Sequence, residues 1–367
     1  MSVLDRYLAR EILLPFAAGL VFLTQVLVAT QLLGQGEVLL GSGVSGVDLA
    51  VVVAALVPHF LGYVLPVAFL LGGVLGVGRL TEDRELVALG AAGISPLRLV
   101  KVPLLLGLAV SAVALWLSLD VEPRGLKAAR ARIDQIVKKN VSSDVRSGVF
   151  YEDIPTLTLY AERARGGRWR HVLIADRSDP RAPVLALAQA GRLEPAGPGD
   201  AMRLVLEGGE LHREERAGEY LAARFEGATV AVGLGSSLGE KNRLSASAFE
   251  LTPGELAALA HGARSAEEGR RWRSFLFRRL AGPVGILAFA LLCVPIAAAR
   301  RGGRAFGYGA TLLAVVAYYA VMRFGEGLSQ RGTLPPWLGP NLANAACAAA
   351  GALALWAMHR RGPGAVR

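Results

Sequence analysis

Six long apolar runs and one strand-like stretch divide this chain, and their order carries most of its meaning. Ile12–Leu33 holds no charged residue, and neither does Leu49–Gly78. A third run covers Val102–Leu119. Leu280–Ala299, Ala305–Met322 and Trp337–Met358 follow near the C-terminus. A hydrocarbon core of about 30 Å needs roughly 20 apolar residues to be crossed as a helix. The pattern therefore predicts three spans, an interruption, and three more spans. Pro58 and Pro66 inside the second run predict a tilt, a kink or an interfacial opening turn. No small-residue cleavage site follows the first run, which reads as a retained helix.

Within the interruption the period changes from helical to alternating. Thr156–Tyr160, His171–Ala175, Val184–Ala188, Met202–Leu206, Tyr220–Phe225 and Ala228–Val232 read as strands. Turn signals at Arg165-Gly166-Gly167, Ser178-Asp179-Pro180, Gly197–Asp200 and Glu207-Gly208-Gly209 separate them. Short strands at this spacing predict a β sandwich or jelly roll. Such a domain either keeps edge strands open for another β protein or closes into a spacer. The expected fold is an α-helical polytopic membrane protein, three helices plus three, with an inserted all-β, jelly-roll-like domain outside the membrane. Its parts are residues 1–120, 121–273 and 274–367.

Composition agrees: 53% of the 367 residues are hydrophobic and 19% charged, which excludes an ordinary soluble domain. The net charge of +10 fits lipid headgroups better than nucleic acid in so apolar a chain. Cys293 and Cys347 both fall in expected spans and form neither a disulfide framework nor a metal-ligand spacing. No cofactor is implied. Lys and Arg in short loops set the orientation. The loop Gly34–Asp48 has none, whereas Arg79, Arg84, Arg98 and Lys101 lie in the next. Arg300, Arg301 and Arg304 follow span four, and Arg360 and Arg361 follow span six. Both termini are thus expected in the cytoplasm and the β domain on the far side. Basic flanks of the β domain, such as Lys138-Lys139 and Arg270-Arg271, pull the other way, but long translocated domains obey the rule weakly.

The sharpest local signal is residues 78–96. Thr81 is placed to cap a helix, with Glu82, Asp83 and Glu85 in its first turns. Leu86, Leu89, Gly90 and Gly93 share one face. Gly93 suits the stop, and Ser95-Pro96 starts the next helix. A short helix over about 81–93, acidic at its start, is either a solvated connector or the surface on which a separate ATPase acts. The chain has no G-x-x-x-x-G-K-[ST] and so no P-loop of its own.

A family resemblance now enters on particular residues. Arg6-Tyr7-Leu8-Ala9-Arg10-Glu11 leads into span one, and Leu65-Pro66 lies in span two. Glu85–Leu89 and Ala92–Pro96 follow, then Arg278–Pro283, Tyr318-Tyr319, Gly325-Glu326, Leu334-Pro335-Pro336 and Pro340-Asn341. In this order, around a mid-chain β domain, they resemble the LptF/LptG permeases of the lipopolysaccharide-export ABC transporter. The resemblance implies a heterodimer with a second such permease and a cytoplasmic LptB-like ATPase dimer. It also implies periplasmic LptC- and LptA-like jelly-roll partners, and lipopolysaccharide as the substrate in the inner membrane. Glu85 matches the coupling glutamate, with Arg84, Leu86, Leu89 and Gly93 around it. Spans one and five would line lateral gates. One branch ends its first span in lysines, whereas Gln31, Gln35 and Glu37 stand here, a departure that favours the F-type.

Headgroup phosphates call for cations, and Arg323, Arg278 and Arg279 at the expected outer ends of spans five and four are the candidates. Snorkelling to the interface is the other reading of each, and Glu326 is spaced to pair with Arg323. His59 reads as packed or interfacial. Two other functions compete. An intramembrane lipid-modifying enzyme needs polar pairs at matched depth, and His59, Asp48 and Glu326 form no such set. A lipoprotein-release or mechanotransmission permease places its outer domain after the first span, not the third.

Overall fold

The computed structural model describes residues 2–34, 45–143, 147–154, 157–165, 168–177, 183–195, 201–214, 220–233, 247–299 and 303–361. Gln35, Glu37, Arg300, Arg301 and the turn residues 166–167, 178–180 and 197–200 lie outside them. The chain divides into two compact units. One comprises Met1–Gly36, Val53–Ala128 and Ser247–Arg367, and the other Glu37–Val52 and Ala129–Ala246.

Six helices among the described residues are long and apolar enough to cross a bilayer. They are α1 (Val3–Gly34), α2 (Gly46–Glu82), α4 (Pro96–Trp116, continued by later turns), α8 (Ala266–Ala298), α9 (Gly303–Gln330) and α10 (Leu342–Arg361). Between α2 and α4 lies the short α3 (Glu85–Ala91). Most helices overrun the apolar runs, because hydropathy marks what lipid covers and not where backbone hydrogen bonding stops. Pro58 and Pro66 remain inside a single helix, α2. Neighbouring helices can satisfy the freed carbonyls in such a bundle.

The helical path does not end with α4. It passes through a π-turn, Leu117–Val121, into α5 (Glu122–Ser143). Pro123 explains the π-turn: it has no N–H, and its ring crowds the carbonyl one turn earlier. The Glu122 N–H reaches back to the Leu117 oxygen. The Ser118 carbonyl then lacks a helical donor.

Two apolar clusters hold the helical unit. Leu8, Ile12, Val77, Leu80, Leu86, Leu99 and Val294 form one. Phe69, Leu70, Val74, Ile286, Phe289 and Tyr318 belong to the other. α1 approaches α2 at backbone distance over Gly72 and Gly76, a small-xxx-small spacing. A Cβ on Gly76 would sit 2.5 Å from the Glu11 carbonyl oxygen, and one on Gly72 would sit 2.7 Å from the Phe16 Cα. No rotamer relieves a clash with backbone. Gly76→Ala is expected to lower the detergent melting temperature by roughly 5 °C, from about 1–3 kcal/mol of overpacking. Gly309→Ala, where nothing lies within 4 Å, is the control and should leave the melt unchanged.

The second unit contains a six-stranded antiparallel sheet in chain order. Its strands are β1 (Phe150–Ile154), β2 (Leu157–Arg165), β3 (Arg168–Asp176), β4 (Val184–Pro195), β5 (Ala201–Glu214) and β6 (Tyr220–Gly233). One face is buried by Leu159, Ala161, Trp169, Val172, Ile174, Ala186, Ala188, Leu204 and Leu206. The ladder Ala161–Val172–Ala188 keeps that face in register. An inserted β domain is thus present, and its described strands pair in chain order as an antiparallel meander. Short connections pair each strand with its sequence neighbour. Glu207-Gly208-Gly209, expected as a turn, lies within β5, where Gly208 takes φ +58° without ending the strand. The two C-terminal runs, expected as separate strands, are one strand, β6, because Glu207 pairs with Gly227 across the expected gap. β1 and β6 each pair with one strand only among the described residues.

Candidate functional site

The α2–α4 connection differs from its sequence reading at its start. Thr81 does not cap a helix. α2 runs through it to Glu82, and its hydroxyl donates to the carbonyls of Val77 and Ala297. Glu82 closes α2, so neither it nor Asp83 lies in the first turn of α3. The break comes at Arg84, exposed and left-handed at φ 57°. A non-glycine residue there costs about 1–2 kcal/mol. The left-handed residue separates the end of α2 at Glu82 from the start of α3 at Glu85. Glu85 opens α3, where the helix dipole favours a carboxylate.

The other end of α3 follows its sequence. Gly93 takes φ +82°, its N–H bonds to Gly90, and the Ile94 N–H bonds to Leu89. This is a Schellman closure, with Leu89 and Ile94 both against the same apolar cluster. Pro96 then opens α4. Leu86 is buried, Leu89 half-buried, and Val87 is 65% exposed. α3 is therefore pinned on one side and open on the other.

Glu85 is not free. The Tyr7 hydroxyl lies 3.0 Å from its Oε2 and 3.2 Å from its Oε1, so α1 donates to the first acid of α3. Beside it Arg79 binds Glu11 at 3.0 Å and Arg98 binds the buried Asp5 at 3.0 Å. Three side chains of α1 are thereby fastened to α2, α3 and α4. Sequence reasoning took Arg6–Glu11 only as a lead into the membrane. Its one available signal was the alternation of polar with apolar residues there, which fits a helix packed on protein and not on lipid.

Elsewhere in the helical unit lie the headgroup candidates. Arg279, though 5% exposed, donates to the carbonyls of Ser118 at 3.3 Å and Ala248 at 3.0 Å, and also to that of Phe249. The Ser118 hydroxyl returns a bond to the Arg279 carbonyl. Arg279 thus supplies the donor that Pro123 removed, and its guanidinium faces protein backbone. Arg278 lies over the Phe249 ring at 5.0 Å and binds Glu326 at 3.2 Å. Glu326, 4% exposed, also meets Arg323 at 3.4 Å. Of the three candidates only Arg323 is open, with its side chain 63% exposed.

His59 is 2.7 Å from Glu122, both largely buried, and Tyr63 and Phe249 close on the imidazole edge-to-face. The Glu122 partner was missed because 63 residues separate the pair. Tyr63, Glu122, Arg278, Arg279, Tyr318 and Tyr319 line one narrow cleft. Outside the membrane-crossing segments, Glu255 is held at about 2 by the Thr252 backbone N–H and by Lys127 at 2.9 Å, in a capping box opening α7 (Pro253–His261).

Residues 6–358 match the family model of the lipopolysaccharide export system permease LptF/LptG. The chain belongs to that family. No curated protein matches it. As a member of the LptF/LptG family it is an integral membrane protein and a transport permease, with six membrane-crossing helices and an inserted sheet. The match does not separate F-type from G-type.

Proposed function

We propose that this LptF/LptG-family chain is a permease subunit of an ATP-driven exporter, extracting lipopolysaccharide from the inner membrane and passing it to periplasmic jelly-roll proteins. The observation that carries the reading is α3. It is a seven-residue helix between two spans, buried at Leu86, exposed at Val87 and led by a held carboxylate. A cytoplasmic LptB-like ATPase dimer would seat on its open side, and Glu85 would receive a cation there. Arg84, Leu86, Leu89 and Gly93 set the angle and grip of the helix. A second LptF/LptG-type permease completes the membrane part, and Gln31 in place of lysine supports the F-type role.

Both termini are cytoplasmic on this reading, and the β unit is periplasmic. Basic residues at Arg79, Arg84, Arg98 and Lys101 support that orientation. Arg323 is the residue best placed to meet a lipid phosphate, with Arg278 held near it by Glu326. Arg279 contributes by keeping the π-turn in place. Each acyl CH₂ drawn from lipid opposes extraction by about 0.8 kcal/mol, so the step needs both an apolar receptacle and an external energy source.

The test is purification of the tagged chain in mild detergent with mass spectrometry of what accompanies it. A stoichiometric P-loop ATPase, a second six-span permease and bound glycolipid are expected. A chain recovered alone would return attention to a lipid-modifying enzyme.

A further inference from the structure

A load on α3 does work only if it reaches a span that can move. α1 is the least enclosed of the spans: 11% of its most apolar window is buried, against 67% in α2 and 61% in α8. Leu14, Val21, Phe22 and Leu33 all face outward along it. Its fully buried apolar side chains, Leu8 and Ile12, lie at one end, in the same cluster as Leu86 of α3. Phe16 and Leu20 also pack on the second cluster, so α1 is held through its first half and open beyond it, and the open half can tilt about the held one.

Polar links reinforce the same end. The Tyr7 hydroxyl spans 78 residues of sequence to reach the Glu85 carboxylate. Asp5–Arg98 and Glu11–Arg79 hold the flanking turns to α4 and α2. Along the chain α3 is joined to α2 through Asp83 and the left-handed Arg84, and Leu86 shares its apolar cluster with Val77 and Leu80 of α2. The hydroxyl-to-carboxylate bond is charge-assisted and directional, and the phenol is a short, stiff lever. Leu86 puts α3 in one apolar cluster with Leu8 and Ile12 of α1 and with side chains of α2 and α4, but apolar packing alone lets helices slide.

We infer that Tyr7 is a positioning residue that ties Glu85 to α1, so that a load on α3 tilts α1. The inference rests on the reading of α3 as the ATPase-docking helix. Glu85 then has two partners, a cation from the ATPase on its open side and Tyr7 behind it. Removing the phenol oxygen leaves the first contact and cuts the second. α3 would follow the ATPase while α1 stays in place.

The experiment uses the assembled transporter in lipid nanodiscs, with Tyr7→Phe, which keeps the ring and its packing. Spin labels at Val26 and Val316, both exposed, go into a Cys293→Ala, Cys347→Ala background. Their separation is read with and without a non-hydrolysable ATP analogue, alongside lipid released per ATP. Tyr7→Phe is expected to keep a stoichiometric ATPase, lose the nucleotide-dependent change in separation, and release at least fivefold less lipid per ATP. Retention of both the change and the yield overturns the inference, while a defective Glu85→Gln in the same assay leaves the docking reading standing. If Glu85→Gln is also unaffected, the docking reading falls and this inference with it. Should Tyr7→Phe assemble poorly, Glu85→Asp keeps the charge but draws it back from the phenol. It should show the same loss, and full coupling in that variant overturns the inference equally.

Discussion

Arg279→Leu is expected to lower the detergent melting temperature of the purified chain by roughly 10 °C, with no lipid or partner present. The substitution preserves bulk but leaves the carbonyls of Ser118, Ala248 and Phe249 without their donor. Each buried acceptor left unpaired costs about 1–3 kcal/mol, so the three cost roughly 3 kcal/mol together at the low end. At about 2–4 °C per kcal/mol for a chain of this order, the total converts to that shift. Ser118 has no alternative, because Pro123 cannot donate to it. Arg279→Lys should fall between, since an ammonium keeps the charge but cannot span three carbonyls in a fork. Arg323→Ala, at a side chain 63% exposed, should move the melt by under 2 °C. A melt for Arg279→Leu within 2 °C of the parent would show that this arginine is not structural. Its place among the headgroup candidates would then be restored.

That contrast shows how far the sequence could reach. Arg278, Arg279 and Arg323 are equivalent as letters near the ends of apolar runs. They differ only through partners supplied by other elements: Glu326 on α9, Ser118 in the π-turn, and the carbonyls of Ala248 and Phe249 in the short α6 (Ser247–Glu250). Spacing within one helix made Arg323–Glu326 readable, whereas no local rule joins Arg278 to the same acid. The six spans were legible because burial in lipid needs long uninterrupted apolar runs. The ends of α1 and α5 were not, because polar residues continue a helix as readily as apolar ones. Gly93 and Pro96 announced the end of α3 and the start of α4, where backbone geometry admits few residues. Thr81 misled because a good capping residue can equally spend its hydroxyl on a carbonyl one turn back. In the sheet, alternation marked the strands, but Gly208-Gly209 signalled a turn where the strand continues. Glycine permits a turn without requiring one.

Glu85→Ala carries the largest functional expectation: lipid release from reconstituted vesicles should fall at least thirtyfold, with the melt of the isolated chain nearly unchanged. Stability should barely move because the carboxylate is half-exposed and its bond to Tyr7 lies at the surface. Leu86, the Schellman closure at Gly93 and Pro96 at the head of α4 hold α3 without it. Function should move because the acid stands between two cargoes of force, a partner's cation and the Tyr7 hydroxyl. A close charge pair across an interface is worth about 2–5 kcal/mol, and 1.4 kcal/mol is tenfold. Thirtyfold is the lower end of that range. Tyr7→Phe combined with Glu85→Ala should be no worse than Glu85→Ala alone, since both break one chain of contacts. Wild-type release by Glu85→Ala would remove α3 as the point where the ATPase acts. An additive double variant would instead separate Tyr7 from Glu85 and give each its own task. The order of effects, large for the acid, smaller for the phenol and non-additive together, distinguishes a transmission path from two unrelated contacts.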